Sequence, residues 1–146
     1  MLIRTQSDKE TMEAGKKFGK GLKHELICLL GYLGAGKTTF IRGLANGLGI
    51  SSKIQSPTFT YQRVHAGKTK LYHFDFYRLD KPDQMLINEL FDAIGKQDGV
   101  IAVEWAEKIW DFLPQERTDI HFKHLEGDSR EILIENHDRK RYRKAL

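Results

Sequence analysis

The chain has 146 residues, a length expected to form one domain with a real core. With 40% hydrophobic and 30% charged residues it has the make-up of a soluble globular protein, which argues against disorder, and no apolar run approaches the length of a membrane span. The net charge of +4 is not a nucleic-acid surface spread over the fold: Arg139, Lys140, Arg141, Arg143 and Lys144 hold the excess, and without them and Asp138 the chain carries 19 basic against 19 acidic residues.

A single cysteine, Cys28, rules out an internal disulfide, and its place in an apolar run suits a small buried thiol. The polar N-terminus lacks the apolar core and small-residue cleavage site of a signal peptide, so the expected compartment is the cytoplasm. His65, His73, His121, His124 and His137 have no zinc-site spacing with that one cysteine, so no zinc is expected.

Taken in order, Ser7-Asp8-Lys9-Glu10 has capping-box spacing, and Thr11, Ala14, Gly15, Phe18 and Leu22 recur at helical intervals. The pattern predicts a helix over Asp8 to Leu22 beside the first strand, with Gly19 and Gly21 weakening and ending it. The apolar run Leu26 to Leu30 reads as that strand. It leads into Gly31-Tyr32-Leu33-Gly34-Ala35-Gly36-Lys37-Thr38-Thr39 and then a second helix, Lys37 to Leu48, with Phe40, Ile41, Leu44, Ala45 and Leu48 on one stripe.

This stretch fits G-x-x-x-x-G-K-[ST] between strand and helix, the context that makes a phosphate-binding loop credible. A polyphosphate needs many donors aimed inward. Glycines at 31, 34 and 36 let the backbone curl so that Leu33, Gly34, Ala35 and Gly36 can turn N–H groups toward it, and the helix start at Lys37, Thr38 and Thr39 adds unpaired amides and partial positive charge. Lys37 would place a full charge on the outer phosphates, and the Thr38 hydroxyl would ligate Mg2+.

Beyond the second helix, Ser56-Pro57-Thr58-Phe59-Thr60 lies where phosphate-loop proteins often carry a segment sensing the terminal phosphate, with Ser56 or Thr58 offering a hydroxyl; its plainer reading is the start of a strand. Phe59 to His65 and Thr69 to Phe76 alternate with period 2 around Ala66-Gly67-Lys68, predicting a hairpin. Tyr72, Phe74 and Phe76 would face one way, and Leu71, His73 and Asp75 the other, mainly polar way.

Asp80 and Pro82 would open a third helix with Leu86, Ile87, Leu90, Phe91 and Ile94 buried and Gly95 at its end. Val100 to Val103, continuously apolar, predicts a strand covered on both faces that ends at Glu104. Two further strands, Asp119 to Leu125 and Arg130 to Glu135, flank a turn over Glu126 to Ser129. The predicted architecture is a single α/β domain like those of phosphate-loop nucleoside triphosphatases, with a central mixed sheet flanked by helices over residues 1–136 and a flexible basic tail over 137–146.

Nucleotide chemistry needs an acidic site on a neighbouring strand. Glu104, at the end of an apolar strand, is the better placed to hold Mg2+ beside Thr38; Asp75 would orient the attacking water or hold the metal's outer shell. The plainer alternative for Asp75 is a strand-end acid paired to Arg78, and for Glu104 an exposed strand-end carboxylate. Trp105, directly after Glu104, is a candidate partner or site contact. A small-molecule kinase and an assembly factor that needs only nucleotide binding share the same loop, so both stay open as functions.

The phosphate loop, Ser56-Pro57-Thr58-Phe59-Thr60, Tyr72-His73-Phe74-Asp75-Phe76-Tyr77-Arg78-Leu79 and Val103-Glu104-Trp105-Ala106-Glu107, in this order and spacing over roughly residues 5 to 135, resemble the TsaE family, also called YjeE. The resemblance implies an ATPase, weak alone, that works with TsaB and TsaD in forming threonylcarbamoyladenosine in tRNAs reading codons that begin with A. It implies Mg2+ on Thr38 and Glu104, importance of Asp75 for activity, and nucleotide contacts from Asp8 and Arg130. The chain departs from the family's usual pattern at Tyr32, commonly Asp, and at Ala106, often Pro; neither position supplies a phosphate or metal ligand.

Overall fold

The computed structural model describes residues 1–32, 34–55, 57 and 60–137. Within them seven strands form one mixed sheet: β1 (Leu2–Thr5), β2 (Leu26–Leu30), β3 (Gln62–His65), β4 (Lys70–Asp75), β5 (Gly99–Glu104), β6 (Arg117–His124) and β7 (Arg130–His137), in the order β1-β7-β6-β2-β5-β4-β3. The central strands β6, β2, β5 and β4 are parallel, and the two edges are closed by antiparallel pairs.

Every residue of β2 is buried, because it lies mid-sheet with helices on both sides. Its alternate residues feed two cores. Ile27 and Leu29 join Phe40, Ile41, Leu44 and Ile120 beneath α1 (Asp8–Gly19) and α2 (Lys37–Gly47). Leu26, Cys28 and Leu30 join Phe74, Leu90, Ile101 and Val103 beneath α3 (Gln84–Lys96) and the 3-10 helix Ala106–Phe112. Phe40, fully buried and edge-on to Phe122 at 5.4 Å, contributes about 1.5–3 kcal/mol through burial alone. Burial, and then the charge of Asp119, push the Cys28 thiol up to about 12, so it is the inert thiol expected.

The helix α1 begins as its capping signal predicts, with Ser7 Oγ accepting from Glu10 N at 3.1 Å; the Glu10 carboxylate reaches back one residue further, to Gln6 N. It ends at Gly19 and not at Leu22, and it packs chiefly on α2. Gly15 and Gly19 face the backbone of Phe40 and Leu44, while Gly43 and Gly47 face that of Met12 and Lys16, so Gly19 serves close helix approach more than helix ending. A Cβ at Gly43 would stand 1.9 Å from Met12 O. Gly43→Ala must therefore push the two helices apart, with an expected loss of about 1–3 kcal/mol. The measurement is a urea unfolding curve with a lowered midpoint at unchanged slope.

Further expectations are corrected. The strand β1 escapes prediction because four residues at a terminus give no readable period; its pairing with β7, Leu2 opposite Leu133, decides it. The cap of α3 is Asp83, accepting from Leu86 N at 3.1 Å, while Gly95 continues the helix and Gln97, left-handed at φ 49°, stops it. Phe91 is 43% exposed, since it lies about 100° around the helix from the centre of the stripe formed by Leu86, Ile87, Leu90, Ala93 and Ile94. Finally, the supposedly polar face of β4 is buried: Leu71 and His73 have no exposed surface. His137, placed in the tail by sequence, is the last residue of β7, and the rest of that tail lies outside the described residues.

Candidate functional site

The parallel strands β2, β4 and β5 all end on one side of the sheet, the side where α/β folds bind ligands. There they deliver the glycine-rich loop, Asp75 and Glu104. The antiparallel return of β6 into β7 brings Arg130 to the same side, and β1 runs out into the first turn of α1, bringing Asp8. These residues line one cleft of about 420 Å3, together with Gly34, Gly36, Lys37, Thr38, Thr39, Tyr77 and Trp105. Of the predicted site residues, Leu33, Ser56 and Thr58 lie outside the described residues.

The loop's glycines have different duties. Gly36 caps α2 in the left-handed region at φ 100° and, being glycine, brings no capping side chain of its own to the helix start, whose amide end is turned toward the cleft. At Gly31 the constraint comes from the neighbouring strand: a Cβ would stand 2.6 Å from Phe122 O of β6. Tyr32, in the loop, is 87% exposed.

Lys37 is buried, its ammonium donating to Gly31 O and lying 3.8 Å from the Trp105 ring centre. Burial lowers its pKa, opposed by the carboxylates of Glu107, Glu104 and Asp75. Trp105 itself is held in the left-handed region at φ 57°, an unusual conformation for a bulky residue, with its ring 5.1 Å from that of Tyr77. It thus stands within the cleft, against the loop lysine.

Glu104 is 3% exposed. Its Oε1 accepts from the Thr38 hydroxyl at 3.2 Å, and its Oε2 lies 2.7 Å from His73 Nε2. Asp75 is directly opposite Glu104 in the β4–β5 register and accepts from Tyr77 N at 3.0 Å. Burial first, then the facing Glu104, raise the Asp75 pKa above its ordinary 3.8. The folded chain therefore holds this proton more tightly than the unfolded chain, so stability falls as pH rises above 3.8. Asp75→Asn is expected to raise the melting temperature of the nucleotide-free protein at neutral pH and to give no such gain below 3.8. Thermal melts at the two pH values check this; equal gains at both would assign the effect to packing.

Arg130 is buried and donates to Gly34 O at 3.2 Å as well as to Gly127 and Ser129 carbonyls, so it braces the glycine-rich loop from the last hairpin. Sequence reasoning left His73, Tyr77 and Glu107 without a role here. The signal for His73 was present in its period-2 spacing from Asp75, which puts both on one face.

The family model for TsaE, threonylcarbamoyl adenosine biosynthesis protein, matches residues 5–132. The TsaE of Treponema pallidum is 38% identical over 136 residues, covering 89% of this chain and 96% of that protein, and the TsaE of Bacillus subtilis is 42% identical over 132 residues, covering 88% and 81%. The crystal structure of YdiB from Bacillus subtilis superposes with a TM-score of 0.80 at 36% identity, covering 99% of this chain and 89% of that one. On this match across nearly its whole length, in sequence and in fold, the chain belongs to the TsaE family.

Proposed function

We propose that the protein binds and hydrolyses ATP with Mg2+ and acts with a TsaB and TsaD complex in forming the threonylcarbamoyl modification of adenosine in tRNA. The observation that carries this reading is the contact of Thr38 Oγ1 with Glu104 Oε1 at 3.2 Å, beside a loop and helix start open to phosphate. Magnesium takes oxygen ligands at about 2.0–2.1 Å in an octahedron, which sets adjacent ligands about 3 Å apart. The two side chains already have nearly that spacing, and both offer hard oxygen donors, so this donor set fits the ion.

In this reading the backbone amides from Leu33 to Thr39 cradle the phosphates, and Lys37 moves its ammonium from Gly31 O and Trp105 onto the outer phosphates. Thr38 and Glu104 hold the metal, which when bound supplies charge neutralisation on the phosphate oxygens. Asp75, whose proton is held above the ordinary range, orients the attacking water. Arg130 keeps the loop in its curled form, and Asp8 borders the nucleotide from the first turn of α1.

The test is a titration of ATP hydrolysis against purified TsaB and TsaD. Weak turnover alone and a steep rise with the complex are expected; turnover unchanged by the complex would overturn the partner assignment.

A further inference from the structure

His73 is wholly buried in the middle of β4, and its register partner is Ala102 on β5. Two residues on from Ala102, on the same face, comes Glu104, so the pleat sets the imidazole diagonally beneath that carboxylate. The result is the 2.7 Å contact between His73 Nε2 and Glu104 Oε2. A carboxylate oxygen only accepts, which assigns the ring proton to Nε2. Its Nδ1 has no hydrogen-bond partner among the described residues. An aliphatic side chain such as that of Leu71 would fill this place without leaving a buried nitrogen unpaired. Packing therefore does not account for an imidazole here, whereas the bond made by its other nitrogen does.

Glutamate has one more rotatable bond than aspartate, so a glutamate at a strand end needs restraint to present one oxygen in one direction. Here Oε2 is tied to the sheet interior by His73, and Oε1 is left to face Thr38 and the cleft. We propose that His73 is a positioning residue for the reaction: it fixes the Glu104 carboxylate so that a single oxygen, Oε1, is offered to the divalent cation beside Thr38. The inference rests on the Mg2+ and ATP reading above and adds to it the group that orients the metal-side acid.

The experiment uses the full chain with ATP and magnesium chloride. Binding of ATP without magnesium is measured first by calorimetry, then the magnesium concentration giving half-maximal turnover. His73→Leu keeps the bulk and removes the donor; His73→Gln keeps an N–H at similar reach; His73→Asn keeps an N–H that is too short. The leucine variant is expected to need about 10- to 100-fold more magnesium, with metal-free ATP affinity unchanged, and the glutamine variant to return to within a few-fold of the parent.

A folded leucine variant with the parent's magnesium requirement would overturn the proposal, as would a glutamine variant as impaired as the leucine one. Should the leucine variant not fold, the glutamine and asparagine variants decide: only a defect in asparagine relieved in glutamine supports positioning, and equal behaviour overturns it. If the parent chain itself binds no ATP, the functional reading fails, and this inference with it; intact ATP binding with unmoved magnesium dependence sinks this inference alone.

Discussion

Replacing Lys37 with alanine is expected to weaken ATP binding by about 10- to 150-fold, the equivalent of about 1.5–3 kcal/mol for one charged hydrogen bond. The ammonium is already desolvated, which lowers its pKa, and it is kept in the cleft by a carbonyl, an aromatic face and three nearby carboxylates. Burying a charge without a ligand is costly, and a phosphate would repay that cost directly. Arginine should not substitute. Its broad planar fork does not fit a place 3.8 Å above the Trp105 ring and against Gly31 O, where a compact ammonium sits. Calorimetry of ATP with magnesium on the parent, alanine and arginine proteins checks both statements. Unchanged affinity in the alanine protein would remove Lys37 from the site.

Glu104→Gln is expected to lower ATP turnover by about 100-fold or more while ATP still binds. The size of the effect follows from the local hydrogen bonds. His73 presents an N–H to Oε2, so the new amide must turn its oxygen to His73 and its NH2 group toward Thr38. A donor would then point at the place where a cation needs an acceptor. The same variant separates hydrolysis from binding as the useful event, when turnover with TsaB and TsaD is measured alongside the modified adenosine formed in tRNA. Loss of both with ATP binding retained is the expected result, and it would eliminate a role in which occupancy alone suffices. Full modification despite lost turnover would establish that role instead.

The loop, its flanking strand and helix, and the two acids were all legible in the chain because each rests on local rules. Glycines mark turns, an apolar run ending in an acid marks a buried strand, and a 3.6-residue stripe marks a helix face. The errors fall where local pattern does not decide. Gly19 reads as a weak point in its helix, yet it is, with Gly43 on the facing helix, a place where two helix backbones meet. The face of β4 carrying His73 and Asp75 reads as solvated from its polarity, and is buried because α1 and α2 cover that side of the sheet.

By itself the sequence determined that a glycine-rich loop joins a buried strand to a helix, and that acids end two other strands, since those features depend on neighbours within a few residues. Only the tertiary structure decided that Glu104 meets Thr38, that Asp75 faces Glu104, and that Arg130 reaches Gly34. Strand order and register set those distances. They are fixed by which faces the whole sheet can bury, a property of all seven strands together and of no single stretch.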